Sequence, residues 1–440
     1  MRCRHLNDFG FESFSTEYGF EAISLDNNQS LGPYIPDTQE CLSCGVCVGS
    51  CPTYRIRPEE NYGPRGRIRL LEKAVRRGET LDVNEQAALA TCTLCQACET
   101  VCPSKMAFAE LYRQALEGDH FKPNRSLLVS WILALAMGGE TTRRRLNRSI
   151  RIYQRSGLPR LLALLAKLPL LKSIQPLLVL LPTPHNPQPV AGFTQTQVDQ
   201  PLREVTLFTG CIANLFDTHT HNATIALLSR IGCDVTVAEN QTCCGAAYAH
   251  NGEMSQAKAC LKQNLTAFAN SSTVIYNSSG CGAFLNDYPA LMASEEKNPH
   301  ELPSFLDVLD YLEQSDRFHQ LKFKTLQTQV VVHEPCSQRN ALKTQTLVYR
   351  LLEKIPGLRI TPLADNQICC GAGGTKMVTQ PELANPIRDE KIAALSLSGA
   401  EILITTNHTC ALHLMSGARD AGFECQLMHP VQLLAQQLIN

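Results

Sequence analysis

Eight cysteines in two matching runs constrain this chain more than any other feature of its sequence. The first run is Cys41, Cys44, Cys47 and Cys51, followed by Pro52, and the second is Cys92, Cys95, Cys98 and Cys102, followed by Pro103. Each run spaces three thiols three residues apart and puts the fourth four residues further on. Such a loop must fold tightly round whatever the thiols bind, and proline then turns the chain away because its φ is fixed.

The spacing is that of the bacterial ferredoxin run, in which three cysteines of one run and the last cysteine of the other hold each [4Fe–4S] cluster. On that logic the predicted ligand sets are Cys41, Cys44, Cys47 and Cys102 for one cluster, and Cys92, Cys95, Cys98 and Cys51 for the other. Zinc is the alternative, since two C-x-x-C pairs can make a four-thiolate site. Zinc needs only four thiols, however, and the 40 residues between Cys51 and Cys92 are long for a zinc ribbon.

Length, charge and cysteine usage narrow the class of protein. The 440 residues suffice for two or three domains, and a net charge of −1 offers no basic face for nucleic acid. The 20 cysteines fall largely in metal-ligand spacings, which indicates reduced thiols and a cytoplasmic compartment. We expect no secretory signal in residues 1–40, which are acidic and lack an apolar run, and no transmembrane helix.

The first three predicted segments are an irregular lead-in at 1–36, a helical domain with both cysteine runs at 37–120, and a helical connector with a proline-rich linker at 121–200. Within the helical domain, Arg65, Arg67 and Arg69 are interpreted as a solvated helix start, with steering of an acidic partner as the alternative. The leucine-rich stretch 158–181 is interrupted by charged residues and prolines. We therefore expect the connector to pack on the rest of the protein; docking on a partner or at a membrane interface is the alternative.

The remaining 240 residues repeat one pattern, at 201–325 and again at 326–440. The cysteines of the first copy are Cys211, Cys243, Cys244 and Cys281, and those of the second are Cys336, Cys369, Cys370 and Cys410. Corresponding cysteines are 125, 126 and 129 residues apart, which indicates a duplicated lobe. Short β-branched runs alternate with helical stretches, which predicts parallel strands and crossover helices. The predicted fold class is therefore a mixed α+β and α/β multidomain chain, with a helical two-cluster domain followed by two duplicated α/β lobes.

In each lobe the first and last cysteines follow a strand, and open α/β sheets place their ligands beyond the carboxyl ends of the strands. We therefore expect the four cysteines of a lobe to meet at one edge and interpret them as additional cluster ligands. Buried core residues, a vicinal disulfide or a zinc site are the alternatives. The cysteines outside every pattern are read as ordinary buried or free thiols: Cys3, Cys233, Cys260 and Cys425.

These motifs resemble the glycolate oxidase iron–sulfur subunit family from about residue 38 to the C-terminus. The motifs are the two cysteine runs, Gly63-Pro-Arg-Gly-Arg67, Gly280-Cys-Gly-Ala-Phe284 and the two Cys-Cys-Gly (CCG) triplets. The resemblance implies two [4Fe–4S] clusters, FAD on partner flavin-binding dehydrogenase subunits, oxidation of glycolate to glyoxylate or of D-lactate, and electron transfer to the quinone pool. It also implies peripheral attachment to the cytoplasmic face of the inner membrane. Anaerobic glycerol-3-phosphate dehydrogenase, lactate-utilisation proteins and heterodisulfide reductase share parts of the plan and are the alternatives.

In heterodisulfide reductase the last motif of each CCG domain supplies a fifth thiol, and here Phe284 and His413 occupy those positions. The departure argues against disulfide chemistry in the lobes. His413 is interpreted as a hydrogen-bonded surface histidine, with a substitute ligand as the alternative. The sequence has no G-x-G-x-x-G after a strand and no P-loop. It therefore predicts no catalytic residue, and an electron-transfer subunit that depends on a partner flavin to accept hydride.

Overall fold

Short helices around two cysteine loops build the N-terminal part of the computed structural model. The structure describes residues 40–118, 120–121, 131, 134–156, 190, 192–196, 198, 203–293 and 302–439. These all belong to one unit of the chain, which begins at Pro36. The lead-in at 1–36, Cys3 and most of the predicted linker therefore lie outside the described residues.

The helices of the N-terminal part are Pro52–Ile56, Pro64–Leu71, Val83–Ala90, Ala97–Thr100 and Phe108–Glu117, with a π-helical turn at Glu72–Arg76. Pro52 and Pro64 each stand at the first helical position, where the missing N–H costs nothing. Asp82 caps the helix Val83–Ala90 in a capping box with Glu85. One apolar core, which includes Leu71, Leu89, Tyr112 and the loop cysteine Cys92, joins these helices and packs against three further loop cysteines.

The connector contributes one described helix, Glu140–Arg155. Just before it, Met137 is buried in the core of the first lobe, and the hydroxyl of Thr242 donates to its carbonyl at 3.5 Å. At this point the connector packs on the rest of the protein. The leucine-rich stretch 158–181 lies outside the described residues.

The first lobe is a five-stranded sheet in the order β1-β3-β2-β4-β5. Its strands are β1 Phe193–Thr194, β2 Arg203–Phe208, β3 Cys233–Thr236, β4 Thr273–Tyr276 and β5 Ser304–Asp307, and only β1 is antiparallel to its neighbour. Its helices are Ile212–Phe216, Thr218–Arg230, Ala246–His250, Met254–Ala267, Ser279–Leu285 and Tyr288–Ala293. The buried β-branched and aromatic residues of β2 and β4 suit strands that are covered on both faces.

The second lobe is a parallel four-stranded sheet in the order β7-β6-β8-β9. Its strands are β6 Gln329–Val332, β7 Arg359–Pro362, β8 Ile402–Ile404 and β9 Gln426–Met428. The helices after β5 are Val308–Glu313, Asp316–His319, Thr346–Leu352, Lys376–Thr379, Pro381–Ser398, His408–Asp420 and Pro430–Gln437, with a π-helical turn at Ser337–Leu342.

The two lobes share a hydrophobic core, in which Val205 and Ile275 of the first lobe join Val330 and Ile404 of the second. The predicted fold class is confirmed: a helical two-loop part precedes two duplicated lobes with parallel sheets. The segment boundaries themselves stay a prediction. Among the described residues, no helix is both long and apolar enough to cross a bilayer.

Candidate metal centres

Two small cavities gather the eight cysteines of the N-terminal runs. The first is lined by Cys41, Cys44, Cys47 and Cys102, together with Cys98, and the second by Cys51, Cys92, Cys95 and Cys98. The last cysteine of each run thus lies with the first three of the other run. This crossed grouping is the arrangement in which ferredoxin-type loops hold two cubanes.

Both loops hold part of their backbone in the left-handed conformation. Ser43 and Leu94, each two residues after the first cysteine of a run, have φ of 53° and 51°. Gly45 and Gln96, each following the second cysteine, have φ of 79° and 58°. Left-handed φ is costly for residues other than glycine and turns backbone N–H groups into a concave anion-binding nest. The N–H of Leu94 accordingly donates to Cys92 Sγ at 3.4 Å, and the loops fit an anionic cluster.

The interpretation of Arg65, Arg67 and Arg69 as a solvated helix start is wrong for Arg67, which is buried. Arg69 is exposed and Arg65 is half-buried in an ion pair with Glu60, but Arg67 is only 1% exposed. The helix Pro64–Leu71 turns Arg67 inward, and the preceding Gly66 lies directly against the carbonyl of Glu60, where a Cβ would clash.

The Arg67 guanidinium donates to four acceptors. They are Cys51 Sγ at 3.6 Å, Ala88 O at 3.2 Å, Thr53 Oγ1 at 2.9 Å and Thr91 Oγ1 at 2.8 Å. A cation this deeply buried needs negative charge nearby to offset its lost hydration. The thiolates of the second set supply that charge only when they are ionised, as metal binding requires. Arg67 is therefore a second, independent sign that this set fits a cluster.

The four cysteines of the first lobe meet beyond the carboxyl ends of β2 and β4. Cys211 Sγ lies 3.6 Å from Cys243 Sγ, and the N–H of Gly245 donates to Cys243 Sγ at 3.4 Å. Hydrogen bonds with Cys243 and Cys281, together with burial, raise the pKa of the Cys244 thiol well above its usual range. Crowded, buried thiols of this kind ionise readily only when a cation is bound among them.

The second lobe repeats this arrangement. Cys336 Sγ lies 3.9 Å from Cys369 Sγ, and the N–H of Gly371 donates to Cys369 Sγ at 3.4 Å. Gly371 has a φ of 87°, and a Cβ there would clash with the carbonyl of Ala384, which explains the glycine of the triplet. Ligand atoms of Cys370, Cys410 and His333 all lie within 4.8 Å of one another. His333 carries no motif and was missed in the sequence.

His413 differs from its interpretation as a surface histidine. It is fully buried, and its Nε2 is 3.2 Å from the carbonyl of Ala384. The helix His408–Asp420 points Cys410 toward the thiols, whereas His413 contacts the neighbouring helix Pro381–Ser398.

Both thiol sets face one cavity of about 220 Å³, far more than the ~10–15 Å³ that a single water needs. Its thiols are Cys211, Cys243, Cys244 and Cys281 from the first lobe, Cys336, Cys369, Cys370 and Cys410 from the second, and Cys95 from the N-terminal part. The sequence predicted four cysteines at one edge of each lobe. The structure adds that the two edges face each other.

Cys95 belongs to both the second small cavity and the cavity between the lobes, and Cys98 to both small cavities. The three cavities therefore follow one another in series. Polar contacts hold the second cysteine loop against the second lobe. The side-chain amide of Asn340 donates to the carbonyl of Cys95 at 2.7 Å. The buried Lys376 ammonium donates to the carbonyl of Ala90 at 2.5 Å, and Gln380 Nε2 to the same carbonyl at 3.2 Å.

A histidine-rich contact between the lobes was also missed in the sequence. His408 lines the cavity, and its Nε2 lies 3.3 Å from Asp217 Oδ2. Burial alone would raise the pKa of Asp217, but the hydrogen bond and charge of His408 outweigh it and hold that pKa below its usual range. Burial lowers the pKa values of His221 and His429 to about 3.

The cysteines outside the patterns lie as expected where the structure describes them. Cys233 and Cys260 are buried and Cys425 is half-buried. Cys233 Sγ is 3.3 Å from the Tyr311 hydroxyl, an ordinary core contact.

Comparison with known proteins defines the class. Residues 37–106 match the model of a 4Fe-4S dicluster domain, and residues 205–286 and 330–415 match that of the cysteine-rich domain named CCG. The chain is thus an iron–sulfur protein with a dicluster domain and two cysteine-rich repeats. A crystal structure of a hypothetical protein from Helicobacter pylori aligns at a TM-score of 0.40 and 12% identity over 62% of this chain and 55% of that one, which is too low to carry an argument.

Three curated relatives narrow the class. The chain is 31% identical to the probable glycolate oxidase iron-sulfur subunit of Bacillus subtilis over 90% of this chain and 93% of the relative. It is 28% identical to the glycolate oxidase iron-sulfur subunit of Escherichia coli over the same shares. Lactate utilization protein A of Geobacillus kaustophilus is 31% identical over 52% of this chain and 98% of its own length. The chain belongs to the glycolate oxidase iron–sulfur subunit family.

Proposed function

We propose that this chain is the electron-transfer subunit of a flavin-dependent 2-hydroxy acid dehydrogenase complex, and that the complex oxidises glycolate to glyoxylate. Two relatives in the same family are glycolate oxidase iron–sulfur subunits that match nearly the whole chain. D-lactate is the second candidate substrate, because lactate utilization protein A matches about half of the chain.

Two [4Fe–4S] clusters are proposed in the N-terminal part. Cys41, Cys44, Cys47 and Cys102 would hold the first, and Cys92, Cys95, Cys98 and Cys51 the second. The crossed cavities, the strained loops and the buried charge of Arg67 support this assignment. When bound, such clusters accept and donate one electron at a time.

The observation that carries the proposal is the serial arrangement of the three cavities. Cys98 joins the first two, and Cys95 joins the second to the cavity between the lobes. The contacts of Asn340 and Lys376 hold the second loop against the second lobe. The chain thereby offers one continuous route that begins at the first cysteine loop and ends between the lobes.

Further iron–sulfur centres are proposed at that end, with Cys211, Cys243, Cys244 and Cys281 as one set and Cys336, Cys369, Cys370 and Cys410 as the other. The close sulfur contacts within each set support ligation. Core packing alone does not require thiols that line a cavity of this size.

Oxidation of a 2-hydroxy acid removes two electrons together, normally as hydride to a flavin or nicotinamide. The sequence carries no nucleotide-binding fingerprint, so FAD is proposed on partner dehydrogenase subunits. The quinone pool is proposed as the final acceptor. Peripheral attachment to the cytoplasmic face of the inner membrane would bring the complex to it.

The complex purified with its partner subunits tests this division of labour. Cys44→Ser removes a ligand of the first proposed set, so substrate should still reduce the flavin while quinone reduction is lost. Cys425→Ser is the matched control, because Cys425 is a half-buried thiol outside every set, and it should leave both steps intact. Loss of flavin reduction in Cys44→Ser, or oxidation of glycolate by this chain alone, would refute the proposal.

A further inference from the structure

The second lobe has a nitrogen donor beside its thiols, and no such group is found among the described residues of the first lobe. His333 directly follows β6 and is 1% exposed, and its backbone N–H donates to the carbonyl of Ile404 at 2.9 Å. One of its ring nitrogens lies within 4.8 Å of both Cys370 Sγ and Cys410 Sγ. The imidazole therefore lies beside two of the four thiols of this lobe.

A hydrogen bond orients the His333 ring. Its Nδ1 lies 3.0 Å from the hydroxyl of Thr405, at the end of the adjacent strand β8. Histidines that bind metals commonly engage one ring nitrogen in such a contact, which fixes the tautomer and leaves the other nitrogen for the metal. With Nδ1 engaged by Thr405, Nε2 is the atom left for coordination.

The equivalent position of the first lobe is Phe208. The side-chain amide of Gln241 accepts from the N–H of Thr209 at 2.8 Å, and that of Asn366 accepts from the N–H of Glu334 at 3.1 Å. These matched contacts align the residue before each, Phe208 and His333. Phe208 packs edge-on against Phe268, with 6.2 Å between ring centroids, and it offers no donor.

We propose that His333 is an imidazole ligand of an iron–sulfur centre in the second lobe, bound through Nε2 together with Cys370 and Cys410. The proposal rests on the proposed function in one respect, namely that the thiols of this lobe hold iron. The first lobe would then hold its centre with thiolates alone. Neutral imidazole in place of an anionic thiolate raises the reduction potential of a cluster, so the second lobe would be the more oxidising end of the route.

Pulsed EPR on the full chain tests the assignment. The protein would be labelled with ¹⁵N-histidine, purified without oxygen and partly reduced, and the hyperfine coupling of nitrogen to each cluster measured. We expect the strong coupling of a directly bonded nitrogen in the wild type and its complete loss in His333→Phe, which copies the first lobe. His413→Gln is the matched control and should keep the coupling.

A second variant covers a failure of His333→Phe to fold. His333→Cys replaces the imidazole with a thiolate, so it should keep the iron content, lose the nitrogen coupling and lower the potential of one centre. Iron beyond the two cubanes without strong nitrogen coupling would refute the role of His333 and leave the electron-transfer proposal standing. Zinc in the second lobe, or iron for two cubanes only, would refute both this inference and the proposed iron centre in that lobe.

Discussion

Replacement of Arg67 by glutamine should lower the reduction potential of the second proposed cubane. The guanidinium is buried and donates to Cys51 Sγ at 3.6 Å, so its charge favours the reduced, more negative cluster. Taking roughly 6 Å to the cluster and an effective dielectric constant of about 20, one unit charge contributes on the order of 3 kcal/mol. For a one-electron couple this corresponds to about 120 mV. We therefore expect a decrease of about 100 mV.

The assay is a redox titration followed by EPR, in which the two cubanes of one chain are compared. The first proposed cubane is the internal control, since Arg65, which lines its cavity, is half-buried and paired with Glu60. Arg67→Lys retains the charge and should restore most of the potential. Equal shifts of both cubanes, or the same shift in Arg67→Lys and Arg67→Gln, would show that the buried charge is not the cause.

Three further predictions concern stability. Burial raises the pKa of Asp307 to about 7, so the folded state holds a proton that the unfolded state has released, and stability falls as pH rises from about 4 to 7. Asp307→Asn should then raise the free energy of unfolding at pH 8 by at most about 4 kcal/mol, with a smaller gain at pH 5. Denaturant unfolding at the two pH values measures both gains. A gain that does not depend on pH would contradict the prediction. Gly66→Ala should destabilise the folded protein by about 1–3 kcal/mol because the added Cβ would meet the Glu60 carbonyl. Gly49→Ala is the control and should change the stability little, because there is open space around Gly49. Equal melting temperatures for the two variants would refute the packing argument. Lys376→Met should lower the free energy of unfolding by about 1–3 kcal/mol, because it removes a buried hydrogen bond to the carbonyl of Ala90. The loss should be larger than that in Gln380→Ala, which removes the longer contact to the same carbonyl. The reverse order of melting temperatures in thermal unfolding would contradict this prediction.

Features that depend on local spacing were predictable from the sequence. The spacing of the two cysteine runs led to a crossed grouping of thiols, and the structure places Cys102 and Cys51 accordingly. The cysteines at a near-constant offset and the β-branched runs led to two lobes with parallel sheets. These signals work because ligand loops and buried strands impose short-range patterns on the chain.

Features that depend on distant contacts were not predictable. Arg67 looks like part of an exposed basic helix, but it is buried and donates to acceptors that are 14 to 24 residues away in the chain. His413 has the right spacing for a ligand, but it bonds to Ala384 instead, while His333 reaches the thiols from the end of a strand. No pattern in one lobe reveals that the other lobe faces it across a cavity.

The most direct test of the account is the iron and acid-labile sulfide content of the chain, purified without oxygen. If the route runs through the whole chain, we expect about twelve to sixteen of each, for two cubanes and one or two further centres in the lobes. About eight of each would confine the clusters to the N-terminal part and contradict the proposed role of the lobes. Zinc with little iron would contradict the assignment of iron–sulfur clusters to any of the cysteine sets.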